Sequence, residues 1–304
     1  MAPGVKPPMT MQEFAASVID IGDSQPSSNF IIHGPPGGGK TALASELPNN
    51  LLLGCDPGWA TAKSLGRAKN GCRLVPIAEE RQLMAGLDWL EDGAHSEFQY
   101  IILDGASVLQ SKLTLNNARE AWEQNPAKRA SAHQPDKPDY GKQQNALKSI
   151  IARLYDLPLS VVVTCHSTLG DDESLDTWLR PDWQGREYRI GNFINGLANC
   201  VGYMAPGVVR EERNGKVVVR QVRRLLWKQW RDDEKDSTIM AKDQLNIFPD
   251  WMDDPTGDQI HTAIMNMGVD PEPAGQPEEE MADDAAIPVA TAVRVKRATR
   301  AGSR

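Results

Sequence analysis

The sequence predicts an α/β fold in which helices cover both faces of a parallel β-sheet. Short apolar runs alternate along the chain with helical patterns, and these runs are continuously apolar. Strands with this pattern are buried on both faces, as in parallel sheets whose connections are helices. In addition, the stretch VVREERNGKVVVRQV around Asn214-Gly215 predicts an antiparallel hairpin near the C-terminal end of the sheet.

Each element is predicted from its own stretch of sequence. The apolar runs predict strands at Phe30–His33, Leu51–Cys55, Arg73–Ile77, Tyr100–Leu103 and Ser160–Cys165. Apolar residues at helical spacing predict helices at 39–47, 79–92, 106–124, 142–156 and 254–267. This order of elements is that of one α/β domain, which we expect to span residues 28–268.

The two ends of the chain differ from this domain. In the N-terminal segment, residues 1–27, the spacing of Phe14, Val18 and Ile21 predicts a short amphipathic helix. That helix packs either on its own domain or on a neighbouring subunit. Residues 269–304 contain no aromatic residue and are rich in Pro, Ala and Glu, so we expect a disordered tail, acidic first and then basic. The tail either keeps the protein soluble or competes for its basic surfaces.

Composition excludes several classes of protein. No segment has the roughly 18–20 consecutive apolar residues of a membrane span, and the N-terminus lacks the apolar region of a secretory signal. The four cysteines have neither paired nor metal-binding spacing, which favours reduced, buried thiols in a cytoplasmic protein. The net charge is −8, yet the range 210–231 contains eight basic and only two acidic residues. The charge is therefore unevenly distributed.

The residues between the first predicted strand and the first predicted helix match the phosphate-loop pattern G-x-x-x-x-G-K-[ST]. They are Gly34, Pro35, Pro36, Gly37, Gly38, Gly39, Lys40 and Thr41. Glycines let backbone N–H groups approach phosphate oxygens, and the positive start of the helix favours the same anion. We expect Lys40 to contact the β- and γ-phosphates of ATP and the Thr41 hydroxyl to bind Mg²⁺. The alternative is a glycine-rich turn with a chance lysine.

Three polar residues lie where other predicted strands end. Asp104 closes the run YIILD and is the expected second Mg²⁺ ligand, or else it caps the next helix. Because Gly105 and not Glu follows Asp104, either the group that activates water comes from elsewhere in the chain or ATP hydrolysis is poor. Asp56 is the candidate for that role, or else a turn residue of Asp-Pro-Gly. His166 either contacts the γ-phosphate or is structural.

The order of short motifs resembles the RecA-like ATPases of phages, which include ATP-dependent single-strand annealing proteins. The motifs are GPPGGGKT, CDPG, YIILDG, YGKQQ, VVVTCHS, RPDWQGR and AKDQLNIFP, within residues 28–268. The resemblance implies a RecA-like core in which Asp56 activates water and His166 senses the γ-phosphate. It also implies that Lys242 reaches the nucleotide of a neighbouring subunit, although many relatives have Arg at the position of Gln244. Such proteins act as rings or filaments with ATP between subunits, here in the cytoplasm of a bacterial host.

Motifs and resemblance together predict an ATPase that uses ATP and Mg²⁺, binds single-stranded DNA and promotes annealing or strand pairing in phage-type homologous recombination. The expected partners are single-stranded DNA, further copies of the chain and a single-stranded-DNA-binding protein. One alternative is a P-loop ATPase that acts as a motor or loader mainly on protein partners. A second is a small-molecule kinase in which Asp56 activates a substrate hydroxyl.

Two predicted loops combine basic and aromatic side chains, as surfaces that bind single-stranded DNA do. Residues 122–142 contain Trp122, Lys128, Arg129, Lys137, Tyr140 and Lys142. Residues 167–189 contain Trp178, Arg180, Trp183, Arg186 and Arg189, together with the acidic residues Asp171, Asp172, Glu173 and Asp176. The basic hairpin 210–231 is a third candidate. The alternative for each is a solvated surface whose aromatic residues pack locally.

Overall fold

A computed structural model of the chain describes residues 27–267, except 69–70, 172–176, 184–188, 214–215 and 233–236. The amphipathic helix predicted around Phe14, the turn at Asn214-Gly215 and the disordered tail lie outside the described residues. In the part of the chain that is described, no helix is both long and apolar enough to cross a membrane.

The described residues form twelve strands and seven α-helices. The strands are β1 (Asn29–Gly34), β2 (Asn50–Gly54), β3 (Arg73–Pro76), β4 (Tyr100–Asp104), β5 (Ser160–Asp171), β6 (Thr177–Pro181), β7 (Cys200–Arg213), β8 (Lys216–Leu226), β9 (Trp230–Asp232), β10 (Ser237–Ile239), β11 (Lys242–Asp243) and β12 (Trp251–Asp253). The helices are α1 (Lys40–Ser45), α2 (Gly58–Ser64), α3 (Glu80–Glu91), α4 (Ala106–Gln124), α5 (Lys137–Tyr155), α6 (Arg189–Leu197) and α7 (Gly257–Met265). Short 3₁₀ turns lie at Ala94–Glu97 and Pro126–Lys128.

The centre of the sheet is parallel. Its strands lie in the order β7-β1-β5-β4-β2-β3, and each neighbouring pair in this series is parallel. At one side β8 pairs with β7 and β12 with β8, both antiparallel, and β7 with β8 forms the predicted hairpin. Since β5 lies between β1 and β4, the strand that carries His166 separates the phosphate-loop strand from the strand that ends at Asp104.

Consecutive strand residues point to opposite faces, and both faces are covered by helices. On one face Ile31, Ile101 and Val161 join a buried cluster with leucines and isoleucines of α3, α4, α5 and α6. On the other face Phe30 and Ile102 join a second buried cluster with residues of α1 and α7. The α/β class predicted from the sequence is therefore confirmed, with its parallel sheet, two covered faces and antiparallel hairpin.

Several boundaries differ from the predictions. The strand predicted to end at Cys165 continues to Asp171, because its polar second half pairs antiparallel with β6. The helix predicted from 142 begins at Lys137, where Pro138 occupies the first turn and the backbone N–H of Asp136 donates to Asp139 Oδ2. The helices α2 and α6 were not predicted.

Candidate active site

The phosphate loop lies at the carboxyl ends of the parallel strands, beside a cleft of about 340 Å³. The loop follows β1, Asp56 follows β2, Asp104 ends β4, and His166 lies in β5. All three of these side chains line the cleft together with Lys40 and Thr41. Carboxyl ends of parallel strands share one edge of a sheet, which is why residues distant in sequence meet here.

Asp104 is held by hydroxyl groups from two other elements. Thr41 Oγ1 donates to Asp104 Oδ1 at 2.8 Å, and Thr164 Oγ1 donates to the same oxygen at 2.6 Å. The backbone N–H of Gly105 donates to Thr164 Oγ1, which orients that hydroxyl. Burial raises the pKa of Asp104, although the two hydroxyl donors oppose the shift. The carboxylate is thus fixed in one position beside the phosphate loop.

The donor set fits Mg²⁺. A threonine hydroxyl and an adjacent carboxylate are the oxygen ligands that Mg²⁺ prefers, and the ion commonly needs only one or two carboxylates in addition to phosphate oxygens. Within the described ranges, no group of three or more His, Cys, Asp or Glu side chains is placed to hold a metal ion. Thr41 and Asp104 are therefore suited to an ion that is shared with a phosphate ligand.

The ammonium group of Lys40 lies inside the loop. Its Nζ donates to the carbonyl oxygens of Gly34 at 2.9 Å and Pro35 at 2.8 Å, and the residue is buried. Burial lowers the pKa of Lys40, while nearby Cys165, Asp104 and Asp56 raise it. The lysine is thus held at the centre of the loop.

The glycines of the loop are also required by packing against β7. A Cβ on Gly34 would lie 2.0 Å from the carbonyl oxygen of Met204, and one on Gly38 would lie 3.0 Å from the same atom. Gly37 and Gly39 have positive φ angles of 75° and 95°, which favour glycine. The loop is therefore shaped both by its backbone conformation and by the neighbouring strand.

Asp56 takes part in a turn, and its side chain also lines the cleft. Its Oδ1 accepts a hydrogen bond from the backbone N–H of Gly58 at 2.6 Å, which is the turn role. The same carboxylate lines the cleft, close to Thr41, because both side chains lie near Gly58. The turn bond orients a carboxylate that also faces the site.

His166 is half-buried at the cleft, and its backbone is bound on both sides. Its N–H donates to Ser107 Oγ at 3.0 Å, and its carbonyl accepts from the N–H of Asp182 at 2.8 Å. Burial lowers the pKa of His166 below its usual value of 6.5, and Lys40 lowers it further, against Asp56 and Asp182. The imidazole is therefore neutral at pH 7.

Comparison with known proteins gives the family. Residues 28–243 match the AAA_24 family, described as an AAA domain, and this range includes the whole phosphate loop, Asp56, Asp104 and His166. The chain belongs to the AAA_24 family. A KaiC-like protein, PH0186, from Pyrococcus horikoshii OT3 is a similar solved structure, with 11% identity, a TM-score of 0.33 and coverage of 66% of this chain and 77% of that one. No curated protein matches the chain.

An AAA domain of the P-loop ATPase type uses a nucleotide, typically with Mg²⁺. Two further residues of the cleft, Thr164 and Arg223, were not predicted from the sequence. Thr164 lies two residues before His166 and holds Asp104. Its signal was present, since it is a polar residue near the end of an apolar strand. Arg223 enters the cleft from β8. No sequence signal pointed to Arg223, because only the pairing of β8 with β7 brings it to the loop.

Lys242 does not line the cleft of its own AAA domain. It lies in β11, which pairs with Val201 of β7 at the level of Ile31, before the loop begins. Burial lowers its pKa. A role of Lys242 toward the nucleotide of a neighbouring subunit stays a prediction.

In the segment 122–142 of the AAA domain, residues 129–136 form a loop as predicted, whereas the residues on either side of them are largely helical. The segment forms a helical tip, which we define as the end of α4, the 3₁₀ turn Pro126–Lys128 and the start of α5. The Arg129 guanidinium pairs with the fully buried carboxylate of Asp139, so Arg129 closes the tip and is not available to DNA. The side chains that remain exposed are Trp122, Lys128, Lys137, Tyr140 and Lys142.

In the other two basic segments of the AAA domain, several of the candidate DNA-binding side chains are buried or paired with carboxylates. In 167–189, residues 167–171 and 177–181 form the β5–β6 hairpin, and Trp183 is buried with its Nε1 bonded to Asn195. The prediction of a loop there is wrong for these residues, and the prediction for Arg186 lies outside the described residues. In 210–231, Arg220 pairs with Asp254, and Arg224 pairs with Asp253.

Proposed function

We propose that the protein binds and hydrolyses ATP, and that it uses this cycle to bind single-stranded DNA and to promote annealing or strand pairing in phage-type recombination. The observation that carries the ATPase part is the contact between Thr41 and Asp104 beside Lys40. The three residues occupy the positions that the phosphate-loop mechanism requires.

Each residue of the cleft has a separate task in hydrolysis. Lys40 binds the β- and γ-phosphates, while Thr41 and Asp104 hold Mg²⁺, which neutralises phosphate charge when it is bound. Asp56 accepts a proton from the attacking water, whose oxygen bonds to the γ-phosphorus as the bond to the bridging oxygen of ADP breaks. The products are ADP and inorganic phosphate. The neutral imidazole of His166 donates a hydrogen bond to the γ-phosphate. This hydrogen bond is lost when the γ-phosphate leaves after hydrolysis.

The helix α4 offers a physical connection between this chemistry and DNA. It begins next to Gly105, whose N–H is tied to Thr164, and it ends at the helical tip. A helix of 19 residues spans about 28 Å. A small shift at Asp104 would therefore be transmitted by a rigid element to a distant surface.

We place single-stranded DNA on the helical tip. Its exposed lysines suit neutralisation of the phosphate backbone, and exposed Trp122 and Tyr140 suit base stacking. The β7–β8 hairpin is a weaker candidate for DNA binding, because Arg220 and Arg224 already pair with carboxylates. Trp183 of the segment 167–189 is buried.

The first experiment tests ATP binding itself. Lys40→Ala is expected to lose ATP binding and the nucleotide dependence of DNA binding, measured by calorimetry and by fluorescence anisotropy of a labelled oligonucleotide. Undiminished, ATP-stimulated DNA binding by this variant would overturn the mechanism.

The second experiment separates the DNA function from its alternatives. Two double variants remove the same amount of charge: Lys128→Gln with Lys142→Gln on the helical tip, and Lys216→Gln with Arg220→Gln on the hairpin. We expect only the first to weaken oligonucleotide binding and to reduce its dependence on salt. Wild-type protein that binds no oligonucleotide at any salt concentration favours a motor or loader acting on proteins. Phosphate release that requires an added acceptor favours a small-molecule kinase.

A further inference from the structure

Arg223 lies against the phosphate loop, although it belongs to the antiparallel part of the sheet. It is opposite Pro206 in the β7–β8 pair, two residues beyond the Met204 carbonyl that packs on Gly34. A Cβ built on Gly39 would lie 2.9 Å from Arg223 Cδ and 3.5 Å from its Nη1. Arg223 also lines the same cleft as Lys40. Its side chain thus borders the loop at the residue that precedes Lys40.

The base of β8 and the Asp254 turn hold Arg223 in this place. The backbone N–H of Arg223 donates to Asp254 Oδ1 at 2.9 Å, and its carbonyl accepts from the N–H of Asp254 at 2.6 Å. The guanidinium makes only long contacts, from Nη2 to Pro255 O at 3.4 Å and from Nε to Asp254 Oδ1 at 3.9 Å. Within the described residues, Nη1 has no hydrogen-bond partner. The donor nearest the loop is therefore available to a ligand.

We infer that Arg223 binds the diphosphate portion of the nucleotide held by the loop of the same chain. This inference rests on the proposed binding of ATP. A guanidinium presents several N–H donors in a planar fork, which suits two phosphate oxygens at once. Lys40 supplies a second cation as a point charge from inside the loop, whereas Arg67, which also lines the cleft, is paired with Glu46. The loop therefore receives positive charge from two sides, one of them supplied by β8.

The assignment is to the same chain because β7 and β8 pack on their own loop. The Met204 carbonyl already occupies the space beside Gly34 and Gly38, so the strand pair is part of the loop's wall. Lys242, in contrast, does not line this cleft. Arg223 is thereby assigned to the nucleotide of its own chain, whereas the role of Lys242 toward a neighbour's nucleotide stays a prediction.

The test measures ADP and ATP binding to full-length wild type, Arg223→Gln, Arg223→Lys and Arg220→Gln by calorimetry. Arg220→Gln is the matched control, because Arg220 lies on the same strand and pairs with the same Asp254 but does not line the cleft. We expect Arg223→Gln to weaken both nucleotides by about 10- to 100-fold, the loss of one or two charge-assisted hydrogen bonds. Arg223→Lys should weaken nucleotide binding by about threefold to tenfold, and the control Arg220→Gln by less than about twofold.

The outcomes separate this inference from the proposed function. Wild type that binds neither nucleotide contradicts ATP binding itself. Wild type that binds both, with unchanged affinity in Arg223→Gln, overturns the role of Arg223 alone, and a loss confined to ATP overturns the assignment to the diphosphate. If thermal denaturation shows that Arg223→Gln is unfolded, the Arg223→Lys affinities decide. Mixing Lys40→Ala with Arg223→Gln must not restore ATPase activity, since restoration would assign Arg223 to the neighbouring subunit's nucleotide.

Discussion

Thr41 Oγ1 lies 2.8 Å from Asp104 Oδ1, although the two residues are 63 positions apart in the chain. The contact joins the helix that follows the phosphate loop to the end of β4, across the intervening strand β5. Thr164 of β5 donates to the same carboxylate oxygen. The strand between the two motifs therefore takes part in the site.

Asp104→Asn is expected to reduce Mg²⁺-dependent ATPase activity by at least about 100-fold, because an amide is a much weaker ligand for Mg²⁺ than a carboxylate. Binding of ADP measured in EDTA should change by less than about threefold, since the loop and Lys40 are untouched. Full Mg²⁺-dependent turnover by the variant would contradict the assignment.

Asp56→Asn should lower kcat by about 10²- to 10⁴-fold and leave the ATP dissociation constant nearly unchanged, the pattern expected of a lost general base. The asparagine oxygen can still accept from the N–H of Gly58, so the turn is preserved. Steady-state phosphate release measures kcat, and equilibrium binding measures the ATP dissociation constant. An equal loss in binding and kcat would show that Asp56 acts only through the shape of the loop.

His166→Ala is expected to weaken ATP binding by about 5- to 150-fold, because one γ-phosphate hydrogen bond is worth about 1–3 kcal/mol. At saturating ATP the variant is expected to lose the dependence of DNA binding on nucleotide. His166→Gln, which retains an N–H donor, should restore part of that dependence. Since burial lowers the pKa of His166, any change of the wild-type response that follows protonation of His166 should occur at a lower pH than for an exposed histidine. His95→Ala, remote from the cleft, is the control. An unaltered nucleotide dependence in His166→Ala would leave the histidine structural.

Gly34→Ala and Gly37→Ala form a matched pair that tests why the loop is rich in glycine. At Gly34 the added methyl group would meet the Met204 carbonyl, so we expect a loss of about 3 kcal/mol in the free energy of unfolding. At Gly37 the space is open, and only the positive φ costs about 1–2 kcal/mol. Urea denaturation measures both. A loss at Gly34 no larger than that at Gly37 would show that contact with the Met204 carbonyl does not require glycine at position 34.

His33 makes stability depend on pH. Its ring is fully buried, with Nδ1 bonded to Ser167 Oγ at 2.9 Å and Nε2 to Met240 O at 2.7 Å. Burial lowers its pKa from 6.5 to about 3, so between these values the unfolded chain binds a proton that the folded chain does not. Stability from this group is complete above pH 6.5 and falls as pH decreases, by about 2–3 kcal/mol at pH 4.5.

The variant His33→Gln isolates this effect. It is expected to be less stable than wild type at pH 7, yet to lose about 2 kcal/mol less between pH 6.5 and pH 4.5, because glutamine does not titrate. The measurement is urea denaturation at both values. Parallel losses in the two proteins would show that His33 does not control the acid response.

Much of the site was predictable because its signals are local. Lys40 and Thr41 belong to one continuous motif, and Asp56, Asp104 and His166 each follow an apolar run that can form only a buried strand. The expectation that Arg129 faces DNA did not anticipate that its guanidinium pairs with Asp139, ten residues along the chain, a contact that no local pattern indicates. Likewise, β5 extends past Cys165 only because β6 pairs with it.

The sequence by itself determined the strand–loop–helix at Gly34, the alternation of strands and helices, and the identity of the residues at the strand ends. These depend on side-chain periodicity and on glycine, which act over a few neighbouring residues. Only the tertiary structure decided that Thr164 holds Asp104, that Trp183 is buried, and that Arg223 reaches the loop. Those relationships depend on which strands pair across the sheet, and strand order is set by packing of the whole chain, which no local pattern encodes.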